Sequence, residues 1–521
     1  MIRNLTTKLT VDQDVTCKVT LSLIVMLGAA LRFYDIGAES YWQDEIYEVY
    51  KAQGRLGPIV DVVQSGAPPV YHILAHLWVT AFGTSELAAR SLSTVAGIIS
   101  IAVMYVVARE LFGKRVALIS AFLIAISEFQ IHYSQEFRFY SLFLLMTSLS
   151  FLSYIRALRS KKLGYFFLYV VASGLMYYTH TFGIFVLLAQ NLCFLMQRRR
   201  YREVRIHWFL SQTLILMSIG PHFLLHFVSK ITAGSYGPYG PLGWDPAHPL
   251  WYPLHNALWY VFPLRHERTW VNVIVVLLVG MAFFVTATLI FAMSKGRQKW
   301  LATVRGLIES VKELSSKNDE LCLVCLWFLC PIVMPFILSR LIGHMYEARY
   351  TISASPAFYL LVAVGITTIR RVVPELVSIL ALLIVVVPGL HHYYVTDVKE
   401  QWAEVATYIE ENGRKGDVIV FAPDHEGWEH RSFDWYYQGD RPTCGIDAHF
   451  SNDQNRISDA LAKCTSGKDR FWLIVRGPRP VVEQFKEYFL NGEAKGQAVS
   501  LIEEYQFTRV SLYLFTNENH R

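Results

Sequence analysis

VTLSLIVMLGAALRFYDIGAESYWQDEIYEVY, residues 19–50, runs from an apolar segment straight into an acidic pair. A helix needs roughly 20 apolar residues to cross a hydrocarbon layer of about 30 Å. Val19 to Phe33, with its flanks, approaches that length and carries no small-residue cleavage signature. Many similar runs follow it, so the segment reads as a retained span and not as a signal peptide. Asp44 and Glu45 then lie just past its end, among Tyr41, Trp42, Tyr47 and Tyr50. Aromatics of this kind settle at the membrane–water boundary and would hold the carboxylates against the bilayer surface. The plain alternative is a solvated loop pair.

Composition extends the membrane reading to the rest of the chain. Of 521 residues, 53% are hydrophobic and 17% charged, and the mean hydropathy is +0.31; an ordinary soluble domain is excluded. Candidate spans fall near 18–35, 91–109, 115–131, 139–157, 163–180, 182–197, 207–228, 270–293, 320–340, 351–369 and 374–391, about eleven in all. The net charge of +6 collects in alternate short loops: Arg109 to Arg115, Arg156 to Lys162, Arg198 to Arg205, Lys295 to Lys317, and Arg370 with Arg371. That is a topology signal and not a nucleic-acid patch. It places the N-terminus inside and, after an odd number of crossings, the C-terminal segment outside. The expected location is the cytoplasmic (inner) membrane, multi-pass, with membrane lipids as surroundings and no nucleic-acid partner.

PPVYHILAHLWVTAFG, residues 68–83, has a helical apolar period but is too short to span, and reads as an interfacial or re-entrant helix. The first outer loop, 36–90, is therefore long, and long loops are seldom mere connection. Residues 1–395 form the expected membrane domain. From about 396 to 521 helices alternate with strands at Asp417–Ala422, in DRFWLIVRG and in VSLYLFT, as expected for a small outer α/β domain without a Gly-rich phosphate loop. Cys444 and Cys464 lie in polar sequence there and can pair on an oxidising side. The CLVC of Cys322 and Cys325 lacks a second ligand pair and reads as apolar packing, like Cys17, Cys193 and Cys330. The stretch 230–256, rich in Gly, Pro, Tyr and Trp, suits either a substrate gate or an interfacial loop.

Other outer turns add Glu136 and Arg138 (EFQIHYSQEFRFYS), His180 (MYYTHTFG), and His344, Glu347, Arg349 and Tyr350 (HMYEARY), so ionisable groups gather on one side. WQDE at 42–45, APPVYHILAHLW followed by FG and ELAARSLS, YSQEFRFYSL at 133–142, YTHTFG at 178–183, and EARY at 347–350 with SPAFYLLVA carry a family likeness. In that order, the chain resembles the C-type (GT-C) polytopic membrane glycosyltransferases of glycosyltransferase family 39, related to protein O-mannosyltransferases and the aminoarabinose transferase of lipid A. The resemblance covers nearly the whole chain and rests on the order of the motifs more than on any one of them.

The resemblance implies an inverting transfer of a sugar from a polyprenyl-phosphate donor to a glycan, lipid or protein acceptor on the outer face. It implies Asp44, beside Glu45, as the catalytic carboxylate. Positive charge is needed where the leaving phosphate develops, and Arg138 and Arg349 are the outer-face guanidiniums for it. Arg138 equally suits contact with lipid head groups. The resemblance also implies that Glu136 can help Asp44 hold a divalent cation, with local pairing to Arg138 as the alternative; no cofactor is otherwise required. His180 is either a site or an aromatic-belt residue, while His344, Glu347 and Tyr350 are supporting candidates. Many relatives have His or Lys just before the Pro where this chain has Ala67, so that phosphate contact is missing or falls to His72 or Lys51. A membrane carrier or lipid-linked sugar flippase, or an oligosaccharide ligase or polymerase, are the rival functions. Carriers normally need mid-membrane ionisable residues and internal repeats, neither of which is found.

Overall fold

The computed structural model describes residues 2–54, 66–232, 252–260, 318–342, 346–368, 372–422, 424, 427–446, 454–477 and 499–517. Its helices are α1 Ile2–Phe33, α2 Gln43–Gln53, α3 Pro69–Phe82, α4 Glu86–Phe112, α5 Lys114–Ile126, α6 Glu128–Ser134, α7 Tyr140–Ser160, α8 Leu163–Thr179, α9 Gly183–Met196 and α10 Arg205–Thr232. They are followed by α11 Tyr252–Trp259, α12 Asn318–Ile342, a 3-10 turn at Ala348–Ala354, α13 Ser355–Thr368 and α14 Val372–Val395. Among the described residues seven helices are long and apolar enough to cross a membrane, or eight if the bent pair α5 and α6 forms one span. Of the expected spans, 270–293 lies outside the described residues, as does most of the 230–256 stretch. The other ten coincide with helices, although α8 and α9, at 17 and 14 residues, are shorter than the expected full crossings.

The expected span 115–131 is a broken one, and the break has an identifiable cause. α5 and α6 meet at 59° around Ser127, whose hydroxyl accepts from Gln130 N to start α6. The last carbonyls of a helix need partners. Buried Arg32 supplies them, donating to Ile124 O and Ala125 O at 2.9 Å and to Ser134 Oγ at 3.1 Å. Gly28 and Gly97 leave it room: a Cβ on either would come within 3.3 Å of the guanidinium, and one on Gly97 would stand 2.3 Å from Ser134 Oγ. The bend carries the chain into the turn 135–139, which holds Glu136 and Arg138.

The bundle has two chemically different ends. At one, Arg156 pairs with Glu110 at 2.7 Å and Arg159 with Glu320 at 3.0 Å, while Arg200 pairs with Asp319 and Lys114 with Asp14. These are the Lys- and Arg-rich turns. The acidic pair, the 135–139 turn, His180 and the Glu347–Tyr350 turn meet at the opposite end. α3 forms as a short helix in the first long loop and packs against α2, sharing a core of Ile46, Val49, Tyr71, Ala75 and Val79.

Beyond α14 lies a sheet domain: α15 Trp402–Asn412, β1 Val418–Phe421, α16 Trp428–Asp434, β2 Thr443–Gly445, α17 Gln454–Thr465, β3 Arg470–Arg476, β4 Val499–Phe507 and β5 Val510–Asn517. The strand order is β2-β1-β3-β5-β4, with β1 parallel to β2 and β3, and β5 antiparallel to β3 and β4. The three strand segments expected from sequence appear as β1, β3 and β5. Short β2 and the half-exposed β4 lack the continuous apolar run of a buried strand. The stretch PVVEQFKEYFL between β3 and β4, which has the pattern of a helix, lies outside the described residues. Cys444 on β2 and Cys464 on α17 are disulfide-bonded, with Cα atoms 5.8 Å apart. Non-reducing peptide mass mapping is expected to recover that linkage, and Cys464→Ser should lower the stability of the sheet domain by about 2–4 kcal/mol in a thermal melt.

Candidate active site

Helix α2 sorts its residues onto two faces. Glu45, Ile46, Glu48, Val49 and Ala52 are buried, whereas Asp44, Tyr47 and Lys51 stay partly accessible; spacings of three and four put each set on one side. Adjacent in sequence, Asp44 and Glu45 therefore have unlike surroundings.

Glu45 is 0% exposed and fully engaged. Arg90, from the first turns of α4, donates to it in a fork, Nε to Oε1 at 2.9 Å and Nη2 to Oε2 at 2.8 Å. Phe137 N donates to Oε1 at 2.8 Å and Lys399 Nζ to Oε2 at 3.3 Å. Burial alone would raise this carboxyl; the charges of Arg90 and Lys399 and the hydrogen bonds from Arg90 and Phe137 outweigh it and bring it from 4.5 down to about 2. Lys399 is also pushed down, by burial and by Arg90, with Glu45 pulling the other way. The shorter fork from Arg90 is the contact that holds Glu45 ionised. Arg90 also donates to the carbonyls of Ile36, Glu39 and Ser40, shaping the entry into α2. Expected next to Asp44 as a catalytic partner, Glu45 instead has no free oxygen to offer a substrate.

Asp44 retains that opportunity. Its side chain is 34% exposed and its Oδ2 accepts from Arg349 Nη1 at 3.2 Å, while its backbone carbonyl accepts from Arg138 Nη1 at 3.2 Å. Arg138 is held from behind, since Ser93 Oγ donates to its carbonyl at 2.9 Å and Glu48 Oε2 stands 3.5 Å from its Nη1. Arg349 lies 5.8 Å from the Trp42 ring and 5.6 Å from that of Tyr350. Among the described residues, Nε of Arg138, Nε of Arg349, Nε1 of Trp42 and the Tyr140 hydroxyl are buried without hydrogen-bond partners. Such groups are costly to leave unpaired. Donors that converge beside one partly exposed carboxylate suit an anionic ligand.

The supporting candidates divide. Tyr350 and His180 join this cluster: the His180 ring stacks on Phe139 at 4.7 Å and lies 4.7 Å from Tyr350, and its Nδ1 accepts from Phe182 N. His72 faces Glu48, Nδ1 to Oε1 at 2.7 Å. Burial would raise Glu48, but the charge of His72, its hydrogen bond, and the charges of Arg138 and Lys51 lower it on balance. His72 is thus tied to the carboxylate that stands beside Arg138, and Lys51 lies over the Tyr47 ring at 3.9 Å. Glu136 pairs with His132 at 2.7 Å. Glu347 leads into the 3-10 turn bearing Arg349, and His344 lies outside the described residues. Among the described residues no three His, Cys, Asp or Glu side chains are grouped to hold a metal. Asp44 faces Arg349 and Glu136 faces His132, so each of the two carboxylates is engaged by a different side chain.

Sequence reasoning passed over Glu48, Arg90, Lys399 and Tyr140, and read Trp42 as an interfacial aromatic and not as a hydrogen-bond donor. Glu45 and Glu48, three residues apart and in phase with Ile46, Val49 and Ala52, were readable as a buried face. Arg90 stood at the head of an apolar helix, a place where a charge needs a partner. Nothing local marked Lys399.

Residues 66–224 match the family model described as dolichyl-phosphate-mannose-protein mannosyltransferase. No curated protein sequence matches the chain. Solved structures match along nearly its full length. ArnT from Cupriavidus metallidurans bound to undecaprenyl phosphate is 13% identical, covering 95% of this chain and 97% of that one at a TM-score of 0.55. The archaeal oligosaccharyltransferase AglB from Archaeoglobus fulgidus, in complex with an inhibitory peptide and a dolichol-phosphate, is 12% identical, covering 96% and 74% at 0.51. At these identities the likeness is one of fold: a polytopic GT-C architecture with a C-terminal sheet domain.

Breaking a buried ion pair from one side costs about 3–5 kcal/mol, so Arg90→Ala should lower the unfolding temperature sharply. Asp44→Asn, at a partly exposed position, should shift stability by about 0.5 kcal/mol or less. Because Glu45 is depressed in the fold, its contribution is complete above the ordinary carboxylate range and is lost as pH falls from about 4.5 toward 2. Thermal melts at stepped acidic pH check the sign, and Glu45→Gln should flatten that dependence.

Proposed function

We propose that the chain is an inverting glycosyltransferase that takes a monosaccharide from a polyprenyl-phosphate carrier and delivers it to an acceptor hydroxyl at the extracytoplasmic rim of the membrane. The single observation that carries this reading is the accessible Asp44 carboxylate set among two arginines, a Trp N–H and a Tyr hydroxyl with unpaired donors. The family match over 66–224 and a fold shared with a protein solved with undecaprenyl phosphate agree with it. So does the Cys444–Cys464 disulfide, which belongs on an oxidising side, and so do the Lys- and Arg-rich turns gathered at the far end of the bundle, the end retained in the cytoplasm.

In this mechanism the isoprenoid tail lies in the lipid and its phosphate is bound by Arg138 and Arg349, with Trp42 and Tyr140 completing the donor set. Asp44 accepts the acceptor's hydroxyl proton as the oxygen attacks the anomeric carbon. The bond from that carbon to the phosphate oxygen breaks, and polyprenyl phosphate leaves with the electron pair. One displacement inverts the anomeric centre. General-base assistance is worth about 10²- to 10⁴-fold, and charge stabilisation at the leaving phosphate is a comparably large contribution. Glu45 and Glu48 hold the pieces: the first fixes α2 on α4, the second orients Arg138. No step is routed through a metal.

Purified protein in nanodiscs, supplied with labelled polyprenyl-phosphate sugars and envelope acceptors, should transfer label. Asp44→Asn should reduce kcat by about 10²-fold or more, and Arg138→Ala and Arg349→Ala should both lower kcat and raise KM for the donor, since the two arginines bind the phosphate and stabilise it as it leaves. An unchanged rate in a folded Asp44→Asn would overturn the assignment. A product mass increased by a block of sugars would move the chain to oligosaccharide transfer, and flux without transfer would make it a carrier.

A further inference from the structure

Gln43, the residue before Asp44, is held by the sheet domain. Its backbone N–H donates to Glu400 Oε2 at 3.0 Å and its side-chain amide to Glu429 Oε1 at 3.2 Å. One cation grips both carboxylates: Arg476 Nε donates to Glu400 Oε1 at 2.7 Å and its Nη1 to Glu429 Oε1 at 3.3 Å. Trp402 Nε1 adds a 2.7 Å bond to Glu400 Oε2. Glu400 and Glu429 are 2% exposed, so neither carboxylate is a loosely solvated surface partner. The charge of Asp44 also acts on Arg476, so that arginine stands near the carboxylate as well as behind the residue preceding it.

The location within the sheet domain is informative. Arg476 ends β3, and Glu429 lies in the first turn of the helix after β1. From β1 the chain passes to β2 on one side and then crosses to β3 on the other. The C-terminal ends of β1 and β3 are therefore the switch point of the sheet, where open α/β sheets place their ligands. Here that edge meets α2. Aromatic contacts reinforce the junction, with Tyr47 against Trp428 at 4.6 Å and Tyr50 against Trp435 at 5.6 Å. Tyr436 OH accepts from Tyr41 N at 2.6 Å and donates to Glu86 at 2.7 Å.

We infer that Arg476 is a positioning residue for Asp44: through Glu400 and Glu429 it fixes Gln43 and the start of α2, making the sheet domain a component of the reaction centre. The kinetic side of this inference rests on the function proposed above; the mechanical side does not. In intact protein in nanodiscs, Arg476→Ala should speed amide hydrogen exchange in 41–53 about tenfold or more, as expected when a net-favourable charged hydrogen-bond network is lost, with exchange in α7 unchanged. Glu429→Gln, which keeps the side-chain volume, should act in the same direction and covers the case in which Arg476→Ala misfolds. In transfer assays Arg476→Ala should reduce kcat by about 10²-fold, the cost of roughly 1 Å of misplacement, with donor KM unchanged and partial rescue by Arg476→Lys. Unchanged exchange in 41–53 in the folded variants, or a rise in donor KM at constant kcat, would overturn the inference. Absence of transfer by the wild-type protein with every donor would sink the proposed function instead and leave the exchange result to decide the clamp.

Discussion

The fork between Arg90 and Glu45 is the joint on which the Asp44 end of this protein turns. Two charges almost wholly removed from water are stable only when each finds enough hydrogen bonds to replace its hydration. Arg90 meets that condition with two carboxylate oxygens and three carbonyls, and Glu45 with Arg90, Lys399 and Phe137 N. One ion pair thus ties α2 to α4, to the 135–139 turn and to the strap that follows α14. Removing either member of the fork leaves the other a buried charge without its main partner, so the elements that frame Asp44 depend on that pair for their stability together.

Around that joint, three consecutive residues answer to three different parts of the chain. The sheet domain holds Gln43; Arg138 and Arg349, from two turns of the bundle, hold Asp44; and the membrane helices with Lys399 hold Glu45. The contrast between positions 44 and 45 is chemical as much as geometric. Glu45 is saturated and ionised far below the usual range, a structural anion. Among the described residues Asp44 has a single side-chain partner, Arg349, besides access to solvent, and the guanidiniums beside it keep donors in reserve. Polar groups left unpaired in a low-dielectric setting carry a standing cost, and such costs persist where a ligand relieves them.

Buried arginines recur as joints. Arg32 closes the open end of α5 and lets a broken span turn by 59° toward the site. Arg90 locks the acidic helix, and Arg476 couples two carboxylates to that helix from outside the bundle. The planar guanidinium is suited to all three tasks because it offers several donors in a fixed fork and remains charged when desolvated. Elements far apart in the chain are joined this way: Lys399 and Glu45 are 354 residues apart, and Gln43 and Glu400 are 357 apart.

The amino-acid sequence by itself determined the membrane-spanning bundle, the short helix in the first long loop, the separate strand-bearing C-terminal part and the side on which ionisable residues gather. Each follows from local quantities, namely run length, hydrophobic period and the alternation of loop charge, which any conformation must respect. Asp44, Arg138, Arg349, His180 and Tyr350 were legible as candidates because polar residues set among interfacial aromatics stand out in such a chain. Only the tertiary structure decided that Asp44 is open and Glu45 closed, that the third expected span is bent, and that Lys399, Glu400 and Arg476 belong to the same constellation. Those outcomes depend on which distant group supplies a counter-charge or caps a carbonyl, and that pairing is set by packing between elements, on which local sequence carries no information.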